Sequence, residues 1–201
     1  MTLSRRKKYS LNWEERSLQF NERTLVMGII NITPDSFSDG GLFFDRDRAI
    51  EQGLALEREG ADIIDIGGES TRPYSEKVSL KDELERVIPV IDALISKVNV
   101  PISIDTCKAE VARQAISAGA SIVNDISALR FDAEMAPVIA EAGAPVILMH
   151  MKGTPDTMQI EPEYKNVIDE ILMFFGEKVH LLKKEGVNDI IIDPGFGFGK
   201  A

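Results

Sequence analysis

The sequence predicts an α/β protein built from repeated strand–helix units, and three observations carry that expectation. Six short apolar runs rich in Val and Ile recur, at 25–31, 62–66, 101–105, 121–126, 144–150 and 189–193. Runs with so little alternation suit strands of a parallel sheet covered on both faces. Between them lie stripes of apolar residues at helical spacing. Glycine recurs just ahead of four of the runs, at Gly60, Gly119, Gly143 and Gly186, where a left-handed residue closes a helix.

Taken in order, residues 1–24 precede the first run and are expected to form an extension, a short hairpin or a cap. The domain itself is expected over 25–201. Its first strand, LVMGIIN, leads into a long polar loop that ends in Gly40 and Gly41. A segment closed by Glu59-Gly60-Ala61 precedes DIIDI, and a second polar loop, GGESTRP, follows that strand at 67–73. Leu84, Val87, Ile88, Ile91, Leu94 and Ile95 make the stripe of the next helix, ahead of PISID. The segments closed by Gly119 and Gly143 lead to SIVNDI and APVILMH. Val167, Ile168, Ile171, Leu172, Phe175 and Val179 then form the last stripe before DIIID. The glycines are unequally spaced, so this is a succession of units and not a solenoid repeat.

Such a succession folds either as a doubly wound open sheet or as a (β/α)8 TIM barrel. Six units are visible in 201 residues. A barrel needs eight and about 250 residues. The barrel reading therefore carries the expectation of a truncated chain, with only about the first six βα units present.

Composition excludes several classes of function. Lys and Arg number 23 against 33 Asp and Glu, a formal net charge of −10, which argues against a binder of nucleic acid or of anionic membrane. No apolar run approaches the roughly 20 residues that span a bilayer, and no secretory signal follows the basic N-terminus. The single cysteine, Cys107, suits a reducing compartment, and a cytoplasmic location is expected.

In both α/β architectures ligands bind at the carboxyl ends of the strands. The polar residues there are Asn31, Asp65 with Glu69, Asp105, Asn124 with Asp125, His150 and Asp193. Any one of them could merely cap a helix or tie down a turn, but their recurrence at one end points to a site. Asp105, Asn124 and Asp193 offer acceptors and amide donors suited to a planar, nitrogen-rich heterocycle. The segment GFGFGKA at 195–201 fails the spacing of both a P-loop and a dinucleotide fingerprint, so a glycine-rich turn pressed against a ligand or strand is expected. His180 falls on a helix and is expected at the surface, with His150 a weak site candidate. Cys107 follows Asp105-Thr106 at a helix start, which favours its thiolate, but without a histidine nearby it is expected to pack rather than react.

These motifs resemble the dihydropteroate synthase family. The resemblance rests on MGIIN (27–31) running into TPDSFSDGG (33–41), on GADIIDIGGESTRP (60–73), and on SIDT, VNDI, MHMKG and DPGFGF following in family order to 198. It implies a pterin-binding barrel that joins 6-hydroxymethyl-7,8-dihydropterin diphosphate to 4-aminobenzoate with Mg²⁺ as cofactor. By matching position, Asp105, Asn124 and Asp193 would hydrogen-bond the pterin, Met149 would pack on its face, and Thr71 would lie close by. Asn31 would meet the diphosphate and its metal. Phe37, Asp39 and Pro73 would close over the aminobenzoate, with Asp39 and Asp105 the catalytic acids. The family's route is dissociative, through a pterin cation, and its members are homodimers. They also continue for two more βα units carrying a Ser-Arg-Lys segment and an Arg-x-His segment, so residues 1–201 alone are expected to be inactive. A methyltetrahydrofolate-binding methyltransferase would share the pocket but lack the 33–41 loop, and a non-catalytic pterin-binding relic is the remaining alternative.

Overall fold

The structure is a computed structural model that describes residues 9–13, 16–20, 23–33, 42–70 and 77–200. It opens with an antiparallel hairpin, β1 (Tyr9–Trp13) and β2 (Arg16–Phe20). Six parallel strands follow: β3 (Met27–Asn31), β4 (Ile63–Gly67), β5 (Ile102–Asp105), β6 (Ile122–Asp125), β7 (Val146–Met149) and β8 (Ile190–Asp193). Helices α1 (Leu42–Arg58), α2 (Leu80–Leu94), α3 (Ala109–Ser117), α4 (Met135–Ala142) and α5 (Val167–Lys184) fill the five connections.

The strands lie side by side in chain order, β3 to β8. A doubly wound sheet must reverse direction at a switch point, and this one never does. Steady progression in one direction is the wall of a (β/α)8 barrel.

Alternation along the strands sorts side chains into two layers. Ile30, Ile64, Ile66, Ile102, Ile104, Val123, Val146 and Leu148 face the helices and join Val87, Ile91, Leu94, Val111 and Ile139 in the main core. The opposite face, the barrel interior, carries Ile63, Ile122 and Ile147 as a separate cluster, with Met27 and Ile191 against it. Leu18 of the hairpin packs on that cluster, so β1 and β2 cover the amino-terminal mouth of the interior. Arg23 grips the carboxylate of Asp62, which also accepts from the Val26 amide at 2.9 Å, fixing the approach to β3.

All four glycines singled out as helix closers adopt positive φ: 99° at Gly60, 110° at Gly119, 60° at Gly143 and 88° at Gly186. Gly119 is the most constrained, because a Cβ there would stand 2.7 Å from Ile95 Cγ1.

Candidate active site

Register assembles the site. Asn31, Gly67, Asp105 and Asn124 are paired in turn across β3 to β6 and form one row on the inner face at the carboxyl ends of the strands. Met149 and Asp193 pair across β7 and β8 one pleat further along the same face. Five of the six strands end on an inward-facing residue and β6 carries Asn124 one residue before its end, and parallel register turns these positions into a cradle. Gly67 lies between two oxygen donors: a Cβ there would sit 3.4 Å from Asp105 Oδ2 and 3.5 Å from Asn31 Oδ1. Without a side chain, it leaves a notch between them.

The layer beneath is also polar. Asp65 is 2% exposed, and its Oδ2 accepts from Asn124 Nδ2 at 3.0 Å, which orients that amide. Asp65 Oδ1 and Ser103 Oγ, on residues paired in register, are buried without a hydrogen-bond partner among the described residues. Burial raises the pKa of Asp65; the hydrogen bond from Asn124 favours its charged form but does not outweigh that. Asp105 is lifted well above the usual carboxylate range, first by burial and then by the negative charges of Asp65, Glu83, Asp125 and Glu69. Such clustering of carboxylates with raised pKa values is characteristic of working sites.

An apolar wall faces these acids. Ile126, Met149, Met151 and Met158 form a buried cluster, with Cys107 and Phe198 packed against it. A cavity of about 610 Å³ opens alongside and shares Asp105, Cys107 and Ile126 with the cradle, a volume suited to a small-molecule ligand. Asp193 Oδ1 accepts from the Gly195 amide at 2.8 Å. A Cβ at Gly195 would stand 2.1 Å from the His150 carbonyl oxygen, so the glycine-rich run is a turn pressed onto the end of β7.

Several strand-end residues have structural duties instead. Asp125 accepts from the amides of Ser127 (2.8 Å) and Leu129 (2.7 Å), holding a turn in which Ala128 and Leu129 adopt φ of 49° and 65°. His150 is buried away from the cradle, edge-on to Phe174 with ring centroids 4.9 Å apart. His180 lies exposed on α5. Burial pushes the Cys107 thiol far up, and Asp125 and Asp105 add to the effect, so the helix-start argument for its thiolate is outweighed. Phe37, Asp39, Thr71 and Pro73 lie outside the described residues.

Around Glu69, which the sequence reading singled out, the structure adds Lys108 and Glu83, which it did not. Glu69 Oε1 accepts from the Val78 amide, and Lys108 bridges Glu69 and Glu83. Glu83, only 1% exposed, also accepts from Thr106 Oγ1 at 2.6 Å. The available signal was a charged residue within the apolar stripe of α2. No group of three or more His, Cys, Asp or Glu that could hold a metal ion occurs among the described residues.

A one-way barrel wall with a polar cradle inside its carboxyl-terminal mouth puts polar side chains where (β/α)8 barrels hold their ligands. The chain belongs to the pterin binding enzyme family, whose profile matches residues 27–201. It is 54% identical over 183 residues to the dihydropteroate synthase of Synechocystis sp., covering 90% of this chain and 63% of that protein. Among solved structures, the dihydropteroate synthase of Yersinia pestis with a sulfonamide drug superposes with a TM-score of 0.89 at 42% identity, covering 96% of this chain and 70% of that one. The Xanthomonas albilineans dihydropteroate synthase in complex with 7,8-dihydropteroate gives 0.80 at 42% identity, covering 93% and 66%. The chain thus spans about two thirds of the length of these relatives.

Proposed function

We propose that the protein is a dihydropteroate synthase, a transferase that joins 6-hydroxymethyl-7,8-dihydropterin diphosphate to 4-aminobenzoate and releases diphosphate, acting in the cytoplasm. The observation that carries this reading is the row Asn31, Gly67, Asp105 and Asn124, with the Asn124 amide oriented by Asp65. A pterin presents ring and exocyclic N–H donors beside a carbonyl acceptor. Carboxylates at Asp105 and Asp193 accept from the donors, and Asn124 can serve either kind of partner. Met149 and Phe198 supply an apolar wall against the ring face. Phe37, Asp39, Thr71 and Pro73 enter this reading through the motifs that contain them, closing over the aminobenzoate.

The electrostatics suit departure of diphosphate from the pterin methylene. The negative charges that raise the pKa of Asp105 also make the cradle a favourable place for positive charge. As the C–O bond breaks, positive charge grows on the pterin, and the cradle stabilises it more than the neutral ground state. The amine of 4-aminobenzoate then attacks the methylene carbon and loses its proton. Asn31 Oδ1 and Asp105, flanking the bare Gly67, are oxygen donors of the kind magnesium accepts together with phosphate oxygens. Mg²⁺ held there would offset the charge of the diphosphate in a protein whose own net charge is −10.

Calorimetric titration with 6-hydroxymethylpterin, followed by an assay of diphosphate release that depends on 4-aminobenzoate, tests the reading. Saturable pterin binding that Asp105→Ala abolishes is expected. A chain that binds no pterin would refute it.

A further inference from the structure

Lys200 follows the glycine-rich turn after β8, and three acceptors surround its ammonium. They are His150 Nδ1 at 2.8 Å, His150 O at 2.7 Å and Phe198 O at 3.0 Å. An ammonium has three N–H donors, so every one is used. Two acceptors belong to the residue just past β7 and one to the turn after β8. We propose that Lys200 is a positioning residue that staples the turn after β8 to the end of β7 and thereby sets Phe198 against Met149 in the wall of the cradle. The inference rests on the reading of that cradle as the pterin site.

The surroundings leave the staple little alternative. His150 Nδ1 can accept only when the ring is neutral with its proton on Nε2, a tautomer assigned here from the contact itself. Burial, followed by the cations facing the ring, Lys200, Arg130 and Lys152, together bring the His150 pKa down to about 4. Burial also lowers the pKa of Lys200, to about 8 with Asp193 opposing, so the three-donor form is present at neutral pH. The turn is gripped from its other side too. Gln159 Nε2 donates to Gly197 O at 2.7 Å, Tyr164 donates its hydroxyl to Gly199 O, and a Cβ at Gly199 would stand 2.9 Å from Lys152 O. Asp193 opens the turn, Lys200 closes it, and Phe198 lies between them against Ile126, Met149, Met151 and Met158. Removing the ammonium would leave the backbone carbonyl of Phe198 and the His150 ring unmatched at the point where the wall is fixed.

The test compares the unsubstituted protein with Lys200→Met, Lys200→Arg, Phe198→Ala and the Lys200→Met/Phe198→Ala double variant. Three quantities are followed: 6-hydroxymethylpterin affinity by calorimetry, His150 by ¹⁵N NMR across pH, and thermal melting. His180→Gln identifies the His150 resonance. Lys200→Met should still melt cooperatively, should raise the His150 pKa from its value of about 4, and should weaken pterin binding by about tenfold or more, the scale on which displaced positioning groups act. Lys200→Arg, which keeps charge and donors, should recover part of that loss. The double variant should bind no worse than the weaker single variant, because Lys200 acts through Phe198. A folded Lys200→Met that binds pterin as the unsubstituted protein does would overturn the proposal, as would fully additive losses. Should Lys200→Met fail to fold, the unsubstituted protein still decides: a proton on His150 Nδ1 at neutral pH overturns the staple. Failure of that protein to bind pterin would instead refute the reading of the site, and the NMR arm would still report on the staple.

Discussion

Asp105 and Asp62 are carboxylates whose surroundings pull in opposite directions. Asp62 is held below its ordinary value, first by the Arg23 hydrogen bond, so its contribution is present above about pH 4 and is lost as the pH falls through its lowered value. Asp105 is raised by burial and by four neighbouring carboxylates. Above about pH 4 the native state keeps a proton on it that the unfolded chain has lost, so this term weakens the fold as the pH rises towards the raised value. Replacing the acid by a neutral amide should relieve that cost. Asp105→Asn is expected to raise the Tm at neutral pH by about 2–4 °C, the shift that accompanies 1 kcal/mol in a chain of this size, while pterin affinity falls. Calorimetric melting beside a pterin titration checks both halves. A lower Tm together with intact binding would mean that Asp105 is an ordinary structural carboxylate.

The connections between elements are held by means that differ in cost. Lys108 joins the loop after β4 to α2 through Glu69 and the buried Glu83. Replacing one partner of such a group strands a charge, so Lys108→Met should destabilise by about 3 kcal/mol, and adding Glu83→Gln should recover part of it. Urea denaturation of the single and double variants measures the difference; equal stability of all three would show that the bridge contributes nothing. Helix closure offers a cleaner comparison. Gly60 and Gly119 share positive φ, yet a Cβ at Gly60 meets nothing within 4 Å, whereas at Gly119 it meets Ile95. Gly60→Ala should cost about 1 kcal/mol through strain alone, and Gly119→Ala clearly more. Equal losses would mean that Ile95 moves aside freely. Pro89 marks a point where local preference yields: it sits inside α2, where a ring removes a backbone donor, yet Val87, Val90, Ile91 and Leu94 bury that face and the helix continues.

At the scale of the molecule, the sheet runs from β3 to β8, and each of these two strands has a single strand neighbour among the described residues. Ile29 and Ile192 on them are about half exposed, and Ile168, Leu172 and Met173 of α5 are more so. Unpaired edges beside apolar side chains favour association, while a net charge of −10 opposes it. Salt should decide between them, since repulsion is screened over about 8 Å at 0.15 M. Residues 1–201 prepared alone are expected to self-associate as salt is added, and Leu172→Glu with Ile192→Lys should suppress it. Sedimentation velocity at two salt concentrations reads this directly; a monomer under both conditions would refute the expectation.

The sequence by itself determined the layers and their order. Val and Ile runs, apolar stripes and closing glycines act through neighbours a few residues away, so they are legible without knowing what packs on what. The same holds for the strand-end acids, which a parallel sheet must gather at one mouth. The choice between barrel wall and doubly wound sheet was different, because both have the same local pattern and only strand order separates them. Tertiary structure also sorted the polar residues. Asp125 and Asn124 are adjacent in the chain, yet one braces a turn and the other faces the cradle, since alternation sends them to opposite sides of β6. Glu83 and Lys108 carried no motif, Lys200 lay in a glycine-rich run that marked only a turn, and their partners lie 25, 39 and 50 residues away. Contacts closed over such distances exist only once the strands are in register, which is why the sequence yielded the cradle's floor and only the fold revealed what holds it in place.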